Sequence, residues 1–471
     1  MKYKEIASFI RNKIIMGDWF YGMKIPSHRK LAEQFKVNRV TVIKSIEVLE
    51  AEGFIYTKPG SGTYVNNYLS ESFVMNKWEE MMEWSVASRS QYTVQLINRL
   101  ETDEHYIHLS KGELGKDLIQ HIELKNAMNA VANYIGDLAF GYNDGYGYKK
   151  LRELIAERLN NEGMNINTGN VMITSGALHT LQLLVTGFLS QNTVVFSNTP
   201  SYINSTYVFN SLNLKNIQFD YNDMHAFKAC IDKYHHYKDK AIYVETSFNN
   251  PTGASLSHDE KEQILKSSKM YNITIIEDDI YKDIWFSKKA PVSLKALDNK
   301  GLVIHISSFS KSIAPALRIG WIIASEKVIE QLADVRMQID YGSSILSQMV
   351  IYEMLNKGDY DRHIIRLKEI LIGKRDFMLS LLKKWFLDVA EWKIPEGSFF
   401  IWLEFKINID IKKLFSYLID HHQILINPGY IYGETDNSIR LSYSYETNDN
   451  IEFALMKIKE YIDDELKDII K

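Results

Sequence analysis

Five short apolar runs, each finishing in polar residues, constrain this fold most. Residues 170–176 read NVMITSG, 193–200 TVVFSNTP, 240–247 KAIYVETS, 273–279 ITIIEDD and 302–308 LVIHISS. Helical patterns separate them. Alternation of this kind predicts an α/β domain built on a mainly parallel sheet with helices on both faces. Ligands of such sheets gather at the carboxyl ends of the strands, where these runs turn polar.

At 471 residues the chain exceeds one ordinary core, so more than one domain is expected. Apolar residues are 45% and charged residues 24%, ordinary values for a globular protein. The single cysteine, Cys230, excludes a disulfide within the chain and suits a reducing cytoplasm. The N-terminus, MKYKEIASFIRNKII, is charged throughout and lacks the apolar core of a signal peptide. No uncharged stretch approaches the ~18 residues of a membrane span.

The net charge of -4 hides an asymmetry: residues 1–65 carry 11 Lys and Arg against 6 Asp and Glu. A basic head on an acidic body suits a polyanionic partner. Ile6, Phe9, Ile10, Ile14 and Ile15 fall at helix spacing, with Gly17 as a stop. Ser27 is placed to cap a short helix through Phe35, and Asn38 a second from Arg39 to about Glu52. Two short helices about a tight turn predict a helix-turn-helix. The first turn of its second helix, with Arg39, Thr41 and Lys44, would enter the major groove. FIYTKPGSGTYV then predicts a hairpin, with Lys58 near its tip.

The head resembles the winged-helix domain of the GntR family. Gly22, Pro26-Ser27, Arg29, Leu31-Ala32, Arg39, Thr41-Val42, Leu49, Gly53 and Gly60-x-Gly62-Thr63-x-Val65 carry the match. The resemblance implies contact with double-stranded DNA through Arg29, Arg39, Thr41 and the wing around Gly62. The DNA-binding domain is taken as 1–66 and a partly helical linker as 67–105. In that linker Val74, Trp78, Met81, Met82 and Trp84 suggest an amphipathic helix.

In the body, 106–471, the turn Ser175-Gly176-Ala177 presents free N–H groups at a helix start, a setting for phosphate. Tyr202 follows a proline turn and offers a face to a flat ring. Asn250 is a donor fixed by the Pro251-Thr252-Gly253 turn. Glu277, Asp278 and Asp279 close a strand, followed by Tyr281. With no His or Cys nearby in sequence, no metal is expected there. HISSFSK supplies Lys311, with Arg318 downstream.

In this order the segments resemble the fold-type I aminotransferases that use pyridoxal 5'-phosphate (PLP), with a smaller C-terminal α/β subdomain over about 345–471. The resemblance implies that Lys311 condenses with the cofactor's aldehyde. It gives Asp278 the pyridine nitrogen, Asn250 and Tyr281 the ring hydroxyl oxygen, and Tyr202 the ring face. Gly176, Ala177, Ser308 and Arg318 would hold the phosphate. Tyr142 would reach the phosphate of a neighbouring subunit, so a homodimer is implied. Arg440 would take a substrate carboxylate. Lys311, Asp278 and Tyr281 are the catalytic set of such a site.

A GntR head on such a body resembles the MocR-type regulators. That resemblance implies a head-to-tail homodimer in which a small amine or amino-acid effector, read through PLP, alters promoter binding. Asn204 stands where the GABA-responsive member has an arginine, which speaks against GABA. The parts of an aminotransferase are all present, so transamination is the alternative reading.

Overall fold

The computed structural model describes residues 2–15, 19, 21–66, 92–119, 121–134, 136, 141–206, 208–212, 214–220, 223–286, 290–433 and 437–470. The chain forms two compact units, Met1–Arg89 and Ser90–Lys471. The expected stop at Gly17 and the Met/Trp stripe of the linker lie outside the described residues.

In the first unit, α1 (Lys2–Ile15), α2 (His28–Gln34) and α3 (Arg39–Ala51) precede a hairpin of β1 (Ile55–Lys58) and β2 (Gly62–Val65). Ser27 and Asn38 cap α2 and α3 by accepting from Lys30 N and Thr41 N, satisfying N–H groups that a helix start leaves orphaned. Ile6, Ile10, Leu31, Val42, Ile46 and Leu49 are buried together. The Arg11 guanidinium reaches Glu52 Oε2 at 2.5 Å, tying α1 to the end of α3.

The second unit centres on a seven-stranded sheet: β4 (Val171–Thr174), β5 (Val194–Asn198), β6 (Lys215–Phe219), β7 (Lys240–Glu245), β8 (Thr274–Asp278), β9 (Val303–Ser308) and β10 (Gly320–Ile323). Their spatial order is β4-β10-β9-β8-β7-β5-β6. Pairing is parallel except for β10, which is antiparallel to β4 and β9. Apart from β6 at the edge, the strands are buried on both faces, as helix-covered sheets require. Ile242, Ile275 and Val303 pack towards the helices Met224–Lys233 and His258–Tyr271. Tyr243, Ile276 and Ile306 pack towards Ala177–Phe188 and Glu326–Met337. The period-two alternation of side chains thus feeds two cores.

The C-terminal part holds an antiparallel sheet in the order β11-β12-β15-β14. Its strands are β11 (Ala390–Trp392), β12 (Phe400–Phe405), β14 (Asn427–Pro428) and β15 (Ser438–Ser442). A short parallel pair joins β3 (Ile107–His108) to β13 (Ile424–Leu425), so the start of the body is stitched to its end. The preceding helix, Tyr92–Leu100, buries Ile97 in the same apolar cluster as Leu109, Leu425 and Ile426. No helix among the described residues is long and apolar enough to cross a membrane.

Candidate functional site

The carboxyl ends of β4, β8 and β9 meet the start of β10 at one edge of the sheet. Gly320 pairs with both Thr174 and Ser308, and Asp278 with Ile306. Above this edge is a cavity of about 220 Å³ lined by Ala177, Tyr202, Asn250, Asp278, Tyr281, Ser308, Ser310, Lys311 and Arg318. A second lobe of about 270 Å³ shares Tyr202, Asn250 and Lys311 with it and adds Glu101, Ser110, Tyr432 and Arg440. Residues separated by more than three hundred positions in sequence converge here.

Asp278 closes the floor of the inner lobe. Its Oδ2 accepts from Tyr243 Oη at 2.8 Å, while Oδ1 is buried without a partner among the described residues. Burial raises its pKa to about 6, partly opposed by the Tyr243 hydrogen bond. The Tyr281 hydroxyl is likewise buried and unpartnered among the described residues. Two buried polar groups turned into a cavity represent unmet hydrogen-bonding capacity, which a polar ligand can satisfy.

Lys311 stands across from them. Its Nζ donates to Gly112 O at 2.5 Å. Burial, then the nearby Arg440 cation, pull its pKa down to about 8. A lysine so placed holds a usable fraction of neutral, nucleophilic amine near neutral pH. The other end of the inner lobe suits an anion. Gly176 precedes the helix Ala177–Phe188 with φ +95° and no side-chain cap. A Cβ at Gly176 would lie 2.7 Å from the Arg318 guanidinium, and the positive φ favours glycine there. Arg318 donates to Ser175 O at 2.9 Å and stands 3.5 Å from Ser310 Oγ. Ser308 turns its hydroxyl into the loop, 2.9 Å from Ile319 O and 2.9 Å from Ser310 Oγ. Ser310, not singled out from sequence, is therefore the hydroxyl beside the cation.

Arg440, on β15, is 3% exposed. It donates to Asn250 Oδ1 at 2.7 Å and to the Ser110 carbonyl, and lies 4.1 Å over the Phe400 ring. Its Nε is buried without a partner among the described residues. With Oδ1 of Asn250 so engaged, its amide nitrogen remains a donor. Tyr142 is 88% exposed, 5.2 Å from the Tyr341 ring, and does not line the cavity.

The acids flanking Asp278 are used differently. Glu277 accepts from Thr246 Oγ1, Leu294 N and Lys295 N, and its Oε2 lies 3.2 Å from His305 Nδ1. The histidine absent from the neighbouring sequence is thus brought in by β9. The carboxylate anchors the helix Leu294–Leu297 to the sheet, and its interactions with His305 and those donors hold its pKa down at about 2 despite burial.

In the head, Arg39 and Lys44 are exposed on α3, and Lys44 lies 4.9 Å over the Tyr3 ring. Thr41 donates its hydroxyl to Asn38 Oδ1 at 2.6 Å, so part of its capacity serves the cap. Arg29 pairs with Glu33 at 3.0 Å, both exposed, an ion pair worth little in water. Lys58 rests near the Tyr56 and Tyr64 rings. Gly62 takes φ +128° against the Lys24 side chain. Val40, 70% exposed, and Ile43, 40% exposed, share the surface of α3. Sequence reasoning overlooked them, although an unpaired apolar pair beside Arg39 is the signal of a contact surface.

Comparison with known proteins agrees with both units. The family described as "Bacterial regulatory proteins, gntR family" matches residues 2–65, and "Aminotransferase class I and II" matches residues 104–458. The chain is 61% identical to the HTH-type transcriptional regulator NorG of Staphylococcus aureus (strain USA300) over 93% of its own length and 99% of the relative's. This chain belongs to the MocR-type regulators of the GntR family. A further member-like relative, the HTH-type transcriptional regulator YisV of Bacillus subtilis, is 37% identical, covering 96% of this chain and 94% of that one. Among solved structures, a kynurenine aminotransferase of Pyrococcus horikoshii complexed with PMP superposes with TM-score 0.77 at 25% identity, covering 83% of this MocR-type chain and all of that one.

Proposed function

We propose that this regulator is a cytoplasmic, homodimeric, DNA-binding protein whose body holds PLP and reads a small amine or amino acid with it. The unpartnered Asp278 Oδ1 and Tyr281 hydroxyl opposite Lys311 carry the reading. When bound, PLP supplies an aldehyde that condenses with primary amines and a ring that accepts electron density. Asp278 would hold the proton on the ring nitrogen. Tyr281 and the Asn250 amide would donate to the ring hydroxyl oxygen, and Tyr202 would cover the ring face. The Gly176–Ala177 N–H groups, Ser308, Ser310 and Arg318 would hold the phosphate, with Tyr142 reaching a second subunit's phosphate. Arg440 would bind an effector carboxylate.

In the head, Arg39, Thr41 and Lys44 would face the major groove, while Arg29, Lys58 and the wing at Gly62 would meet backbone phosphates. Between head and body, the helix Tyr92–Leu100 follows the connector in the chain, and its Val94, Ile97 and Asn98 line the outer lobe. Occupancy of that lobe therefore bears on the first described element after the connector. A ligand alters DNA affinity only through unequal affinity for two states.

The test is cofactor capture. Purified protein incubated with PLP and reduced with borohydride should carry the cofactor's mass on the Lys311 peptide, and Lys311→Ala should carry none. Absence of adduct on the native protein, or an equal adduct elsewhere in the variant, overturns the reading.

A further inference from the structure

The charged groups of the outer lobe are not evenly matched. Lys111 and Glu113 face each other at 3.7 Å and offset one another. Arg440 is held by neutral acceptors, Ser110 O and Asn250 Oδ1. Glu101 makes no ion pair among the described residues; its Oε1 accepts from Ser110 Oγ at 2.7 Å. Lys311, the third cation of the lobe, is taken up by the cofactor in the proposed reading, which leaves Arg440 and Glu101 without a salt bridge among the described residues. Both are fixed to a single residue: Ser110 accepts from Arg440 through its carbonyl and donates to Glu101 through its hydroxyl. Ser110 is fully buried, so the spacing of the two charged heads is rigid. A carboxylate held by a buried hydroxyl at the edge of a pocket is a receptor for an ammonium group.

The geometry points to a diamino acid as the effector, with its carboxylate on Arg440 and its second ammonium on Glu101. This rests on the proposed PLP reading, which assigns one amine to the Lys311 end of the site; the ammonium at Glu101 must then be another. A neutral side chain of the same length leaves Glu101 without a cation, and an acidic one sets a like charge against it.

The test uses the full-length, PLP-loaded protein and the visible absorbance of the bound cofactor. L-ornithine and L-lysine are titrated beside their uncharged isosteres, L-norleucine and L-2-aminoheptanoate. The diamino acids should bind about ten-fold more tightly, the scale of a single partly desolvated charge pair. Glu101→Gln should bring that ratio to about one. Equal or tighter binding of the isosteres to the native protein overturns the inference, as does a ratio that survives Glu101→Gln. If the variant fails to fold, the native panel alone decides. A loaded protein whose spectrum answers to none of the four amino acids overturns the inference and the amine-sensing reading together. Failure to capture PLP at all sinks the cofactor assignment first.

Discussion

The head and the body solve recognition in opposite ways. The head is specified locally: caps at Ser27 and Asn38, a twelve-residue core and a hairpin close within its described residues. The groups proposed to read DNA are exposed long side chains such as Arg39 and Lys44. The groups proposed to hold cofactor and effector in the body are buried and arrive from far apart. Asp278 is braced by Tyr243 on the adjacent strand, and Arg440 by Ser110 from the other end of the chain. A surface reader can gain or lose contacts one by one, whereas a buried site stands or falls with its network.

That contrast can be broken in order of expected effect. Lys311→Ala should abolish covalent PLP retention, measured by mass after borohydride reduction, while leaving the head able to bind DNA. Leu49→Ala, at a fully buried head position, should destabilise the head by about 2–5 kcal/mol. Calorimetry should show its transition lowered and the body's unmoved; a coupled shift of both would end the claim of separate units. Arg39→Ala should weaken specific duplex binding by about 1–3 kcal/mol and relax discrimination at one base position. Footprinting reads that, and unchanged affinity would remove α3 from the groove.

Smaller effects sharpen the same comparison. With the Lys311 amine brought down to about 8, the reactive neutral form grows as pH rises towards that value. The rate of cofactor capture should therefore increase about five-fold from pH 7 to pH 8 and level off above, in stopped-flow absorbance. A flat profile would mean the amine is not what limits capture. Lys58→Ala should cost under about 1 kcal/mol on every sequence and lower the salt slope by about one.

The difference between the units also explains what was legible in the sequence. The head's helices, caps and wing follow from short-range patterns, and they stand where those patterns put them. Only the exposure of Val40 and Ile43 escaped, because periodicity names the buried face and is silent on what the other face meets. In the body, the polar strand ends and the spacing of Asp278 from Tyr281 marked the pocket. Tyr243 could not be found that way: it meets Asp278 only through the β7–β8 register. Arg440 meets Ser110 across 330 positions of sequence, a contact no local pattern announces. Ser308 and Ser310 are indistinguishable in a serine-rich loop until the backbone turns one inwards.

Coupling between amine capture and DNA binding is the central claim. It is tested by the affinity of PLP-loaded protein for a duplex selected from random sequence, with and without L-lysine, beside Lys311→Ala. The account predicts a shift of about 5- to 150-fold in the native protein and none in the variant. An identical shift in both, or a native protein indifferent to every amine offered, would contradict it.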